Sequence, residues 1–172
     1  MAVLICFAAA LSALETMLPP ICPIAGVRVG LGNTVMLFML YVSGTKNRIF
    51  RDISFSGTDV LTAAILKCFL SALITGSVSS AIFGLTGGML AVGAMLAAKI
   101  LLDSGDKKDS RAMLPFVGII GAIFHIAGQL IAAVILYRTM SVLAYTPILL
   151  ASAVVGGAFT GICAKLILKV IH

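Results

Sequence analysis

The sequence predicts an all-α integral membrane protein, a bundle of six transmembrane helices. Hydrophobic residues make up 61% of the 172 residues and charged residues only 10%, and the mean hydropathy is +1.20. The apolar residues lie in six stretches, and a helix needs roughly 20 such residues to cross a bilayer. Because lipid offers the backbone no hydrogen-bond partners, we expect each stretch to be helical. The expected spans are residues 2–18, 27–44, 59–77, 79–101, 113–137 and 143–170.

Six spans with short connections use the whole chain, so we expect a single membrane domain, residues 1–172. The basic residues predict its orientation. With both termini in the cytoplasm, nine of the 12 lysines and arginines lie at cytoplasmic ends. The positive-inside rule therefore predicts a multi-pass protein of the cell membrane with cytoplasmic N- and C-termini. The net charge of +6 is then a matter of topology, and nucleic acid is not an expected partner.

The first span carries two alanines four residues apart, Ala9 and Ala13. This spacing places them on one helical face, where small side chains let another helix approach closely. Two interpretations stay open: ordinary packing within the bundle, or docking on another membrane subunit. Glu15 follows at the outer end of the same span.

The second and third spans carry polar groups into the membrane. Residues 19–23 contain three prolines, which favour a stiff, extended first outer loop; we expect this loop to cover a bound substrate. The apolar part of span 2 after Asn33, about 13 residues, is too short to cross the bilayer without its polar start, so Arg28 and Asn33 should lie in the outer part of the membrane, near Glu15. Lys67 lies near the middle of span 3.

The last three spans differ in their polar content. Glycines in span 4 and small residues in span 6 are suited to close helix packing. Span 5 places His125 at its centre with Gln129 one turn further, and neither side chain should face lipid. The most polar stretch, residues 103–111, has three aspartates interleaved with basic residues, which is typical of a solvated cytoplasmic loop.

A candidate substrate site follows from these positions. Two cations, a histidine and two amides against one carboxylate favour an anionic or polyoxygenated small molecule. Internal pairing of the carboxylate with one of the cations is the alternative, and His125 alone is also compatible with a packed core histidine. The candidate substrate-binding residues are Glu15, Arg28, Asn33, Lys67, His125 and Gln129.

Several enzyme classes are not supported by the sequence. There is no G-x-x-x-x-G-K-[ST] loop for ATP and no H-E-x-x-H zinc motif. The four cysteines have no metal-like spacing. We therefore expect no catalytic residues, no metal site, no cofactor and no enzymatic activity of the chain itself.

The polar motifs resemble a known family. Glu15, the stretch from Gly26 to Asn33, Lys67, and the segment from His125 to Leu130 are similar to the Gx transporter family, often labelled heptaprenyl diphosphate synthase component I. That family resembles the substrate-binding S components of energy-coupling factor (ECF) transporters. Two departures are Arg28, where the family usually has lysine, and Ile126, where asparagine is usual.

The resemblance implies a subunit that captures a micronutrient or a quinone or isoprenoid precursor. It implies as partners a transmembrane coupling subunit, two cytoplasmic ATPases and membrane lipid, with Ala9 and Ala13 as the docking face. Two alternatives remain. One is a membrane-embedded, non-catalytic partner of a polyprenyl diphosphate synthase; the chain lacks the D-D-x-x-D motif of such enzymes. The other is a small stand-alone proton-coupled carrier.

Overall fold

The computed structural model describes residues 1–17, 30–42, 54–102 and 112–171. Within these ranges the chain forms six α-helices and one short 3-10 helix, and no strand. This confirms the all-α class. The helices are α1 (Ala2–Met17), α2 (Asn33–Tyr41), α3 (Gly57–Thr75), α4 (Val78–Leu102), α5 (Leu114–Tyr137) and α6 (Thr146–Ile171), and the 3-10 helix Met140–Tyr145 leads into α6.

Four helical segments are long and apolar enough to cross a membrane: α3, α4, α5 and the continuous stretch Met140–Ile171. The other two helices are shorter, with 16 residues in α1 and nine in α2. Residues 18–29 and 43–53, which flank them, lie outside the described part of the chain. The chain is thus a membrane-embedded helical protein, and the count of six crossings stays a prediction.

The outward faces of the long helices are apolar, as contact with lipid requires. Large hydrophobic side chains are exposed along each of them, and a surface of this kind would be unfavourable in water. Examples are Leu73 on α3, Leu101 on α4, Ile135 on α5, and Val155 and Val170 on α6.

Helices α3 and α4 form an antiparallel hairpin whose ends follow from local sequence. Ser56 and Asp59 form a capping box at the start of α3, in which the Ser56 N–H donates to Asp59 Oδ2 at 2.8 Å. Gly76 ends α3 with a φ of +63°, a left-handed conformation that glycine adopts without the steric cost of a side chain. Only Gly76 and Ser77 separate the two helices, so α4 must turn back along α3.

Helices α4, α5 and α6 pack at backbone contact distance through glycines. A Cβ atom added to Gly128 of α5 would lie 2.6 Å from the Thr86 carbonyl oxygen of α4. One added to Gly157 of α6 would lie 2.6 Å from Ile119 Cα of α5. The helices therefore approach this closely only because no side chain stands between them. We call α4, α5 and α6 the glycine-packed unit.

Helix α2 is a central helix. Eight of its nine residues are buried, and it contacts α1, α3, α4, α5 and α6. Its C-terminal end is held by Lys99 of α4, whose Nζ donates to the Leu40 carbonyl oxygen at 2.5 Å and lies 5.2 Å from the centre of the Tyr41 ring. A cation is favourable at a helix C-terminus. The N-terminal end of α2 reaches the polar residues described next.

Candidate functional site

A polar cavity lies between α1, α3, α4 and α5, beside the start of α2. Its volume is about 20 Å³, and one water needs roughly 10–15 Å³. As it stands the cavity has room for little more than one water, so any larger molecule requires one of its walls to move. The described residues that line it are Ser12, Glu15, Gly30, Lys67, Cys68, Ser71, Ser80, Gly84, His125 and Gln129.

Glu15 joins the end of α1 to the turn that starts α2. Its two carboxylate oxygens accept the backbone N–H groups of Gly30 at 2.7 Å and Leu31 at 2.9 Å. Charge-assisted bonds of this kind are stronger than neutral ones. Negative charge next to N–H groups at a helix start is also favourable. In the structure, Glu15 thus has a definite positioning role.

The turn itself requires glycine. Gly30 has a φ of +90°, and a Cβ there would lie 2.8 Å from Asn33 Nδ2 and 3.0 Å from His125 Cδ2. A Cβ on Gly32 would collide with Ser12 Oγ and lie 3.2 Å from Lys67 Nζ. This segment therefore touches α1, α3 and α5 at once and forms one wall of the cavity.

Lys67 is the buried cation of the cavity. Its side chain is only 3% exposed, and Nζ donates to Asn33 Oδ1 at 2.7 Å. A lysine this deep in an apolar bundle is costly unless polar groups surround it. The bond ties the middle of α3 to the first residue of α2, so Lys67 and Glu15 hold the same short segment from two sides.

His125 and Gln129 form a second polar pair, one turn apart on α5. Gln129 Nε2 lies 2.9 Å from His125 Nε2; an amide nitrogen only donates, so Nε2 of the imidazole accepts. Room for the ring comes from α4, because a Cβ on Gly87 would lie 2.8 Å from His125 Nδ1. Both side chains are buried, as the sequence predicts for polar residues in a membrane helix.

Four of the six predicted site residues, Glu15, Lys67, His125 and Gln129, line this one cavity. Asn33 is joined to it through Lys67, whereas Arg28 lies outside the described residues, as do residues 19–23 of the predicted covering loop. Glu15 bonds to backbone N–H groups of residues 30 and 31, which side-chain charges do not indicate. Internal pairing of the carboxylate with Arg28 or Lys67 stays a prediction.

Further polar residues of the cavity were not among the predicted site residues. They are Ser12, Ser71 and Ser80. The sequence could have indicated Ser71, because it lies one turn after Lys67 and therefore on the same face of α3. For Ser12 and Ser80 the sequence has no comparable charged neighbour, and serine is common in membrane helices as an ordinary packing residue.

Ala9 and Ala13, the predicted docking pair, are buried within the chain. Ala9 is 0% exposed and Ala13 is 6% exposed, on a helix that packs against α3. A partner helix reaches these alanines only if the bundle opens. The exposed face of α1 is a different one and includes Val3, Phe7 and Leu14.

Fold and cavity together define a class: a membrane-embedded helical protein with a small polar site enclosed in its bundle. The family model described as heptaprenyl diphosphate synthase component I matches residues 4–167. The chain belongs to this family, which confirms the resemblance seen in its motifs. No curated protein and no solved structure matches it.

Proposed function

We propose that this protein is the substrate-binding membrane subunit, the S component, of an ECF-type importer. Its substrate is a micronutrient or a quinone or isoprenoid precursor that carries an anionic group. The observation that supports this most is the cavity, because an apolar bundle has no packing reason to enclose Lys67, Glu15, His125 and Gln129 together. Polar and ionisable groups inside membrane helices are typical of substrate pathways.

The importer interpretation is also consistent with the absence of an ATP-binding motif from the sequence. The chain has no ATP-binding loop, so the energy for uptake comes from two cytoplasmic ATPases through a transmembrane coupling subunit. The chain itself has no catalytic role in this proposal. It has six crossings with both termini in the cytoplasm, which places Glu15 and the start of α2 in the outer half of the membrane.

The orientation is testable by cysteine labelling. In a variant whose own cysteines are replaced by serine, Met140→Cys and Lys169→Cys each provide one exposed thiol. A membrane-impermeant maleimide added to intact cells should label position 140 and not position 169. The opposite pattern would reverse the topology and place the cavity on the cytoplasmic side.

A second candidate function rests on the family description. A membrane-embedded, non-catalytic partner of a polyprenyl diphosphate synthase would carry the same name, and its cavity would hold part of the lipid product. This candidate predicts a stable complex with a soluble synthase. It does not require ATPases.

Purification from the native membrane in mild detergent separates the candidates. The importer proposal expects a coupling subunit and two ATPases to co-purify, and ATP-dependent uptake when the complex is reconstituted in liposomes. Co-purification of a prenyl synthase without ATPases would favour the second candidate. Transport by the isolated chain, driven by a proton gradient, would instead indicate a stand-alone carrier.

A further inference from the structure

Ser71 has a buried hydroxyl that the described fold does not satisfy. The residue is 2% exposed, it lines the polar cavity, and its Oγ has no hydrogen-bond partner among the described residues. A buried hydroxyl without a partner is unfavourable, and such groups in native proteins call for an explanation. Its position at the cavity wall identifies a bound molecule as the natural partner.

The surroundings of Ser71 determine what kind of molecule that is. Lys67 lies one turn before it on α3, and Ser80 of α4 and Gln129 of α5 line the same space. The one carboxylate among the described lining residues is Glu15, and each of its oxygens already accepts a backbone N–H. The cavity wall is therefore rich in hydrogen-bond donors, which suits an anionic oxygen group.

Size restricts the anion further. The open space of about 20 Å³ is little more than one water position. A carboxylate, with two oxygens on one planar carbon, needs far less room than a tetrahedral phosphate or a diphosphate. A wall must move to admit either group, and the smaller movement that a carboxylate requires favours it over a phosphate.

We propose that this cavity is the subsite for a carboxylate of the substrate, with Ser71 Oγ and Lys67 Nζ as its donors. The inference rests on the proposed substrate-binding function and narrows it to carboxylic acids. The hydrogen bond from Lys67 to Asn33 can be exchanged for a similar bond to the substrate at little cost. The body of the acid should lie towards the start of α2, since this wall is held by hydrogen bonds from Glu15 and Lys67 that can be exchanged.

Fluorine NMR on the full-length protein in lipid nanodiscs tests the proposal. The probes are fluorobenzoate, the neutral fluorobenzamide, and fluorophenyl phosphate, with empty nanodiscs to correct for partition into lipid. Saturable binding is expected for the benzoate. The neutral amide should bind at least about tenfold more weakly, since a hydrogen bond to a charged group contributes about that factor. The phosphate should also bind more weakly, because it requires a larger movement of the cavity wall.

Two variants assign the donor. Ser71→Ala should weaken benzoate binding about tenfold while leaving the melting temperature unchanged or higher, because it removes an unsatisfied buried hydroxyl. Ser71→Asp places a carboxylate in the subsite and should abolish binding. Ser152→Ala is the matched control, since its hydroxyl donates to the Ile148 carbonyl oxygen on α6, away from the cavity.

The outcomes are distinct. Tighter binding of the phosphate, or no saturable binding of benzoate, overturns the carboxylate assignment. Unchanged benzoate binding by Ser71→Ala removes Ser71 from the subsite. Neither result touches the co-purification of a coupling subunit and ATPases, which tests the importer proposal separately.

Discussion

The two halves of this bundle differ in the contacts that join their helices near the cavity. In the glycine-packed unit, α4, α5 and α6 meet backbone to backbone, with Gly128 against Thr86 and Gly157 against Ile119. In the other half, α1, α2 and α3 are joined near the cavity by side-chain hydrogen bonds from Glu15 and Lys67. We call this second half the polar-bridged unit. The cavity lies between the two.

This difference indicates which side of the cavity moves. Close backbone packing has one good arrangement, because any shift loses many van der Waals contacts at once. A hydrogen bond such as the one between Lys67 and Asn33 can be exchanged for a similar bond to a ligand at little cost. We therefore expect the start of α2 to yield when substrate enters, while α4, α5 and α6 stay fixed.

The largest effect is expected from breaking the glycine-packed unit. Gly118→Ala adds a Cβ that collides with the Gly157 carbonyl oxygen and lies 3.1 Å from the backbone of Gly161. Backbone cannot turn aside as a side chain does, so we expect a loss of about 3 kcal/mol or more in the free energy of unfolding. Thermal unfolding in detergent measures it.

A matched control lies on α4. Gly93 is exposed, and a Cβ there meets nothing within 4 Å. Gly93→Ala should therefore stabilise the protein by about 0.5–1 kcal/mol through the higher helix propensity of alanine. Equal melting temperatures for the two variants would show that the glycine contacts do not hold this half together.

The next largest effect concerns the cation of the polar-bridged unit. Lys67→Gln keeps an N–H donor for Asn33 and removes the charge. If the substrate is anionic, its binding should weaken by about 2–5 kcal/mol, the usual cost of breaking a desolvated charge pair. Arg28→Gln is expected to act in the same direction. Calorimetric titration with the transported substrate, once it is identified, gives the comparison with wild type.

Lys165→Gln supplies the control, because Lys165 is exposed on α6 and lines no part of the cavity. It should bind substrate as the wild type does. Normal binding by both Lys67→Gln and Arg28→Gln would mean that the substrate is not anionic or that it binds elsewhere.

How far the sequence predicts this structure differs between the two units. The long helices follow from apolar length alone, and the hairpin of α3 and α4 follows from its short connection. The gathering of Lys67, His125 and Gln129 is also predictable, since lipid excludes polar groups from the outer face. These features depend on local sequence and on the surrounding lipid, and the apolar composition of the chain indicates that it lies in lipid.

The sequence does not predict the partners of those groups. Glu15 contacts backbone N–H groups of residues 30 and 31. Every residue except proline has such a group, so no pattern of side chains marks these two. The sequence also does not predict that Ala9 and Ala13 are buried within the chain, because small residues are suited equally to packing within a chain and between chains. Which occurs depends on the tertiary arrangement.

A third prediction distinguishes the two possible roles of Ala9 and Ala13, packing within the chain and docking on a partner. Ala13→Trp places a large ring at a position that is 6% exposed, so it should lower the free energy of unfolding by about 1–3 kcal/mol as well as prevent assembly with a coupling subunit. Ala10→Trp lies on the exposed side of the same helix and is the control. If Ala13→Trp melts like the wild type yet fails to assemble, the alanine face contacts the partner. Intact assembly would remove Ala13 from the docking face.

The smallest effect is expected at Glu15, and it tests what holds the movable wall. Glu15→Gln leaves one oxygen to accept an N–H from Gly30 or Leu31 and replaces the other acceptor by an NH₂ group. We expect a loss of about 1.5 kcal/mol in the free energy of unfolding, the low end of the range for one hydrogen bond to a charged group. Glu15→Ala removes both acceptors and should lose about twice as much.

Binding of an anionic substrate should be less affected than in Lys67→Gln, or even stronger, because a negative charge has been removed from the cavity. Hydrogen exchange at residues 30 and 31 reports the change directly, and it should accelerate in Glu15→Gln while the amides of α5 stay protected. If Glu15→Gln abolished binding while Lys67→Gln bound normally, the carboxylate would be a ligand contact for a cation, and the positioning role argued from its two backbone bonds would be wrong.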